Sequence, residues 1–202
     1  MKLTTVTSLT LDGVTEGHRR IDAVEVEESR FGRFGWAPPL LDEAASDFIS
    51  QTFQRADAFL FGRRTYEIFA GSWGAGMDPG NPVGEALNSK PKYVASTTLV
   101  EPQWVGTTVL SGDVAGAVDE LRAGPEGELQ VWGSGTLIRW LLDHRLIDEL
   151  VLLTYPVIVG QGTRLFPTDG ADIALELDDL RTTPKGMTIQ TFRTAGRPHY
   201  ET

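Results

Sequence analysis

The sequence predicts an α/β fold: one domain on a central, mostly parallel sheet, with helices on both faces and an antiparallel hairpin at the C-terminal end. Three observations lead there. The chain has 202 residues, a length that one domain accommodates, and 1–202 reads as a single unit. Short apolar runs of strand length alternate with segments whose apolar residues recur at three and four, an alternation that implies parallel strands joined by right-handed crossovers. The last two strand-like runs are instead separated by Pro184-Lys185-Gly186, a turn that pairs neighbours antiparallel.

The opening segment, Lys2 to Leu11, is rich in Thr, Val and Leu and stops at Asp12-Gly13, as a buried strand ending in a turn does. Residues 14–40 mix charge with Gly32, Gly35, Pro38 and Pro39 and keep no period, so a long surface loop of functional character is expected. From Asp42 to Ala56, Ala45, Phe48, Ile49, Thr52, Phe53 and Ala56 mark one face of a helix. Ala58 to Phe61 is a buried strand that Gly62 ends, with a helix starting near Thr65. Gly71 to Asn88 carries five glycines and two prolines and is expected to be loop. Strands follow at Lys92 to Ser96 and Thr107 to Leu110, a helix from Val114 to Arg122, and a strand at Leu129 to Trp132. A helix from Gly135 to His144, a strand at Glu149 to Tyr155, and the pair Ile173 to Leu180 and Met187 to Phe192 complete the chain.

Composition removes several kinds of function. With 18 basic and 28 acidic residues the net charge is −10, so nonspecific nucleic-acid binding and attachment to a membrane surface, which both rely on a basic field, are not expected. The absence of cysteine excludes disulfides, thiolate catalysis and sulfur-ligated zinc. Three histidines, His18, His144 and His199, offer little for a metal site, and no metal is expected. No run approaches the ~18 apolar residues of a membrane span, and the N-terminus lacks the apolar core of a signal peptide. A soluble, cytoplasmic protein is the expectation.

Three strand ends carry residues suited to anions. In Val131-Trp132-Gly133-Ser134-Gly135-Thr136 a strand runs through glycines into a helix, whose N–H groups can face a phosphate; the alternative is a plain strand-to-helix turn. The Rossmann fingerprint is missing, because a third glycine would fall at Ile138, and no Gly-Lys-Ser/Thr P-loop occurs. In Phe61-Gly62-Arg63-Arg64-Thr65 a similar turn adds two guanidinium forks. There the alternative is that Thr65 caps the helix and the arginines pair with acids such as Glu67. Ser96 and Thr97, after an apolar strand, either line the same region or simply make a turn.

Taken together, SLTLDG, FLFGRRTYE, KYVAST, VWGSGTLIRWLL and DELVLLTYPVIVGQGTRLF resemble the dihydrofolate reductase-like superfamily, and most closely its RibD C-terminal branch, the riboflavin-biosynthesis reductase domain. The likeness spans about residues 3 to 166. It implies an NADPH-dependent reductase on an eight- or nine-stranded sheet, commonly a homodimer. By position, Gly62, Arg63, Arg64 and Thr65 would hold the diphosphate or 2′-phosphate, with Arg63 the preferred 2′-phosphate partner. Ser96, Thr97 and Thr98 would line the adenosine-phosphate end. Trp132, Gly133, Ser134, Gly135 and Thr136 would lie under the diphosphate and nicotinamide, where the family often has two glycines joined by a cis peptide and this chain has Ser134 second.

The resemblance also implies a proton source, since hydride transfer to a carbon–nitrogen or carbon–oxygen double bond needs a proton at the other atom. Asp47, on the helix before the Gly-Arg-x-Thr segment, and Thr154 occupy the matching positions; the other reading of Asp47 is a solvated helix residue. Asp12 matches a substrate contact, and Arg19, Arg20, Arg30, Arg33 and Arg164 are available for a ribose phosphate. The zinc deaminase motif fused to many such reductases is absent. The expected substrate is pterin-like or of the 5-amino-6-(ribosylamino)uracil type. A module that binds cofactor or sequesters a ligand without turnover is the alternative, whereas a hydrolase is disfavoured by the lack of a Gly-x-Ser-x-Gly elbow. Aromatics at Gly32 to Trp36 and at Trp73 are expected either at a dimer contact or in the core.

Overall fold

Strand β1 (Lys2–Thr10) is buried along nearly its whole length. That follows from its place in the middle of the sheet, where both faces are covered and every residue meets a packed layer. In the computed structural model, which describes residues 1–18, 32–74, 79–170 and 172–201, β1 runs parallel to β5 (Glu128–Trp132) on one side and β6 (Glu149–Tyr155) on the other. Much of the expected surface loop, with Arg19, Arg20 and Arg30, lies outside the described residues.

Adding β2 (Ala58–Gly62), β3 (Lys92–Ala95), β4 (Thr107–Leu110), β7 (Leu175–Thr182) and β8 (Thr188–Thr194) gives one eight-stranded sheet in the order β4-β3-β2-β5-β1-β6-β8-β7. The first six positions of that order are mutually parallel, and β8 is antiparallel to both β6 and β7. The fold is thus the expected α/β arrangement with a C-terminal hairpin.

Helices α1 (Glu43–Arg55), α2 (Arg63–Trp73) and α3 (Pro82–Ser89) cover one face, where Phe53, Phe59, Phe61, Tyr66, Leu87 and Trp132 share a core. Phe53 of α1 stacks on Trp132 at 3.8 Å between ring centroids. Helices α4 (Val114–Ala123) and α5 (Gly135–Asp143) cover the other face, with Leu60, Val118, Val131, Ile138 and Leu141 between them and the sheet. Among the described residues no helix is long and apolar enough to cross a membrane.

The segment Gly71 to Asn88 departs from the loop expected of it. Helix α2 continues to Trp73, and α3 occupies Pro82–Ser89. The Asn81 side chain accepts a hydrogen bond from the Val83 amide at 3.0 Å, and Pro82 stands at the first helical position, where its missing N–H costs nothing. Val83, Ala86 and Leu87 then bury one face against the core. Asn-Pro followed by that spacing is a helix start, which the glycine count of the surrounding stretch obscures. Of the aromatics read as dimer contact or core, Trp36 is buried and packs edge-on against Tyr155 at 5.2 Å, and Trp73 is half-buried on the wall of the cleft described next.

Candidate cofactor cleft

Because β3, β2, β5 and β1 are consecutive in the sheet and parallel, their C-terminal ends lie side by side across ~14 Å at the usual strand spacing. They open into one cleft of about 1190 Å³. The chain reverses its order here: β2, β3 and β4 step outward one way, while β5 returns to lie between β2 and β1. Such a reversal leaves a crevice beyond the strand ends, where ligands of open α/β sheets bind.

Three helices begin at this crevice, α2, α5 and α4, the last bordering it at Gly112 and Val114, and two of them lack a cap. Helices α1, α3 and α4 are capped by the side chains of Asp42, Asn81 and Asp113. Helices α2 and α5, which start at Gly62 and Ser134, have no side-chain cap. Ser134 is a good capping residue, yet its hydroxyl is turned away: Oγ accepts from the Gly62 amide at 3.1 Å and donates to the Trp132 carbonyl at 3.2 Å. The Gly135 amide donates to the Gly133 carbonyl at 3.0 Å, while the later first-turn N–H groups of both helices keep their capacity for another acceptor, with the positive ends of two helix dipoles beside it. Gly133 makes the turn between β5 and α5 at φ +59°, a left-handed conformation that a side chain disfavours. The described residues contain no cis peptide bond, so Gly133–Ser134 is trans.

Gly62, Arg63, Arg64, Thr65, Ser96, Thr97, Trp132, Gly133, Ser134, Gly135 and Thr136 all line this cleft. Arg63 donates from Nε to Glu67 at 2.6 Å and from Nη1 to Thr98 Oγ1 at 2.7 Å. The carboxylate pairing foreseen as the alternative is therefore present, and it holds the guanidinium across to the β3 end. Ser96 Oγ accepts from the amides of Thr98 and Leu99 at 3.2 and 3.0 Å, so it builds the turn as well as lining the cleft. Arg64 is exposed at the same end.

Asp47, Thr154 and Asp12 are not brought to the cleft. Asp47 is exposed on α1, and Thr154 donates to Gln190 Oε1 at 3.2 Å within the sheet. Asp12 is engaged as a clamp: it accepts from the Thr10 hydroxyl at 2.6 Å and from the amides of Val159 and Gly160 at 3.2 and 2.9 Å. The Thr10 hydrogen bond, aided by those amides against the opposing effect of burial, holds the Asp12 carboxyl below the usual carboxylate range. Arg164 donates to the Asp12 carbonyl at 2.9 Å, and Arg33 to the Val159 carbonyl.

Other residues complete the wall without having been singled out in the sequence. Arg139 of α5 lines the middle of the cleft, one turn from Thr136, and only its position on the helix could have pointed to it. At the β1 end, Thr7, Ser8, Thr15, Glu16 and His18 face the space. Their segment is fastened on both sides: Glu16 Oε2 accepts from the Thr163 amide at 2.9 Å, and the Glu16 carbonyl from Trp36 Nε1 at 2.8 Å. The Ala37 amide donates to the His18 carbonyl at 3.3 Å. Burial pushes up the Tyr155 phenol, which lies on the other side of Trp36.

The family of RibD C-terminal domains matches residues 1–189. The chain belongs to that family. A RibD C-terminal domain of this kind has relatives across bacteria. The protein YyaP of Bacillus subtilis strain 168, itself described as uncharacterized, is 26% identical over 184 residues, covering 89% of this chain and 88% of its own. A riboflavin biosynthesis protein from Shewanella sp. PV-4, so described as putative, superposes with a TM-score of 0.72 at 22% identity, over 96% of this chain and 99% of that one. A pyrimidine reductase-like protein from Corynebacterium diphtheriae gives 0.63 at 16% identity, over 96% and 92%. The bifunctional diaminohydroxyphosphoribosylaminopyrimidine deaminase and 5-amino-6-(5-phosphoribosylamino)uracil reductase of Thermotoga maritima gives 0.65 at 16%, over 96% of this chain but 56% of that longer one. At these identities the solved structures establish the shared fold.

Proposed function

We propose that this RibD C-terminal domain is an NADPH-dependent reductase acting on a pterin-like or 5-amino-6-(ribosylamino)uracil-type ring. The observation that carries the reading is the distribution of helix caps. Helices α1 and α3, away from the cleft, and α4, which borders it at Gly112 and Val114, are capped by side chains, whereas α2 and α5, which start at the ends of β2 and β5, are not. An anion that bridges α2 and α5 suits those free N–H groups, and a dinucleotide supplies one in its diphosphate. The amides and hydroxyls of Thr65 and Thr136 would hold that group, with Gly62 and Gly135 leaving room for it to approach the backbone. Arg63 and Arg64, with Ser96, Thr97 and Thr98, would take the 2′-phosphate end, where two guanidinium groups offset the negative field of a chain at −10. When bound, the cofactor supplies a hydride. Toward the β1 end, Glu16 and His18 are the titratable side chains that face the space, and a proton delivered there would come from their side of the ring.

One observation favours a second reading, a binding module without turnover: Asp47 and Thr154 do not line the cleft. A single series of measurements separates the two. Trp73, Trp132 and Trp140 line the cleft, so NADPH should quench tryptophan fluorescence saturably and raise the melting temperature. A panel of pterins and aminopyrimidines is then added and absorbance at the reduced-nicotinamide band followed. Consumption with one of them supports the reductase, saturable binding without consumption supports the module, and no response to NADPH at millimolar concentration overturns both.

A further inference from the structure

A second cavity, of about 530 Å³, lies at the far end of α5 from the cleft. Its lining is partly apolar: Leu142 and Ile147 are buried, and Ile173 is half-buried. Three segments frame it, the turn after α5, the approach to β7 and the chain leaving β8. The hairpin of β7 and β8, bulged once between Leu177 and Asp179, holds the last two together. There the Ala174 amide donates to the Gly196 carbonyl at 2.9 Å, and the Ala195 amide to the Ala174 carbonyl at 2.7 Å. Thr194 Oγ1 donates to the Ile147 carbonyl at 3.0 Å and ties the hairpin to the turn. The walls are therefore fixed by the fold itself, as those of ligand pockets usually are.

Arg145 holds the central place in that turn. The Leu146 amide donates to the Leu141 carbonyl at 3.0 Å and the Arg145 amide to the Leu142 carbonyl at 2.9 Å. This helix ending needs a left-handed residue at position 145, a place that glycine usually fills. Arg145 takes it at φ +55°, and among the described residues no other residue except glycine has a positive φ. A side chain is kept where glycine would be less strained. Among the described residues its guanidinium has no hydrogen-bond or ion-pair partner. Arg197, also on the cavity wall, donates from Nε and Nη2 to Asp172 Oδ1, both at 3.3 Å, and the Tyr200 hydroxyl donates to Asp172 Oδ2 at 3.4 Å. Asp172 is thus matched by Arg197. Since Arg145, Arg197 and Asp172 are the charged residues of the lining, the cavity carries one net positive charge in a chain at −10.

We infer that this cavity is a binding site for an organic monoanion, a carboxylate carried on a small apolar body. The carboxylate pairs with the Arg145 fork, whose geometry suits two parallel N–H···O bonds, and with the Arg197 Nη1 that Asp172 leaves unused. The body covers Leu142, Ile147 and Ile173, which removes apolar surface from water. Charge selects the class. A monoanion cancels the single excess charge, a neutral molecule gains nothing from Arg145, and a dianion adds a charge that meets the negative field of the whole chain. No residue lines both this cavity and the cleft, so the two sites are separate, with α5 beginning at one and ending at the other.

Isothermal titration calorimetry of the full chain with 2-naphthoate, and with uncharged 2-naphthamide of the same shape, tests the inference. The wild type should bind 2-naphthoate saturably and 2-naphthamide at least tenfold more weakly, the loss expected when a charged hydrogen-bonding partner is removed. Arg145→Gly suits the left-handed position, so it should fold and melt no lower than the wild type while losing at least tenfold in affinity for 2-naphthoate. Arg145→Asn, whose short side chain also tolerates that conformation, should do the same. Arg63→Ala, in the other cleft, should leave this affinity within about twofold, since it removes no partner of the carboxylate. The absence of saturable heat overturns the inference, and so does equal binding of the amide. A lower melting temperature of Arg145→Gly with binding intact overturns it too, because Arg145 would then serve the turn alone. So does a loss in Arg63→Ala in place of Arg145→Gly, because the other cleft would then hold the rings. None of these outcomes depends on NADPH.

Discussion

Ser134 Oγ receives the Gly62 amide proton across 3.1 Å and so ties the turn at the end of β5 to the turn at the end of β2. The side chain that could have capped α5 is spent on holding two strand ends in register. Substituting Ser134→Ala leaves a partly buried amide without its acceptor, which costs about 1 kcal/mol, a fall of about 2–4 °C in melting temperature for a chain of this size. NADPH affinity should fall as well, because the spacing of the two helix starts is no longer fixed. Ser134→Gly should behave as Ser134→Ala does. Calorimetry and fluorescence titration check both.

Arg63 spans from Glu67 to Thr98 and so presents its fork at the β3 end of the cleft. If that end takes the 2′-phosphate, Arg63→Ala should weaken NADPH binding about 10- to 100-fold, the worth of ~1.5–3 kcal/mol for a charged hydrogen-bonding partner. NADH binding should change little. Equal losses for the two nucleotides would move the 2′-phosphate site elsewhere.

Asp12 fastens the loop at Val159 and Gly160 to the end of β1. Its carboxyl titrates lower in the folded chain than in the unfolded one, chiefly through the Thr10 hydroxyl. The sign follows: above the unfolded value, ~3.9, the unfolded state does not bind the extra proton and the full stabilisation is present. As pH falls below that value, the unfolded chain protonates first and the stabilisation is lost. Thermal melts from pH 6 to 3 should therefore show a decline that Asp12→Asn lacks in part. At neutral pH that variant should melt lower, and amide exchange at Val159 and Gly160 should quicken.

Glu16 and His18 face the β1 end of the cleft, whereas Asp47 is exposed outside it. On a reducible substrate, Glu16→Gln or His18→Gln should lower kcat/KM at least tenfold with the NADPH Kd unchanged, within the range that general acids supply, about 10²–10⁴. Asp47→Asn should alter kcat/KM by less than about threefold on the same scale. A large effect of Asp47→Asn alone would return the proton source to α1.

Much of this was legible because the patterns were local. Strand-length runs such as Thr107–Leu110 and Glu149–Tyr155 carry their own boundaries in β-branched residues and flanking turns, and the three motifs at strand ends all reach one cleft. What escaped depends on partners distant in the sequence. That β5 inserts between β2 and β1 is decided by which sheet positions remain open, and no residue of β5 announces it. Asp12 looks like a free carboxylate until the loop at Gly160, nearly 150 positions away, is folded onto it. Ser134 stands in a strand-to-helix turn by its neighbours and acts as a bridge because of Gly62. α3 is the exception, a local signal at Asn81-Pro82 drowned by nearby glycines.

Asp178 is the extra residue of the bulge in β7. On either side of it the chain keeps the two-residue beat of a strand. Deleting that one residue would remove the bulge and leave Leu177, Asp179, Leu180 and Arg181 in unbroken alternation, each opposite the partner it already has. The extra residue therefore alters the twist of the sheet edge and not the sides its neighbours take.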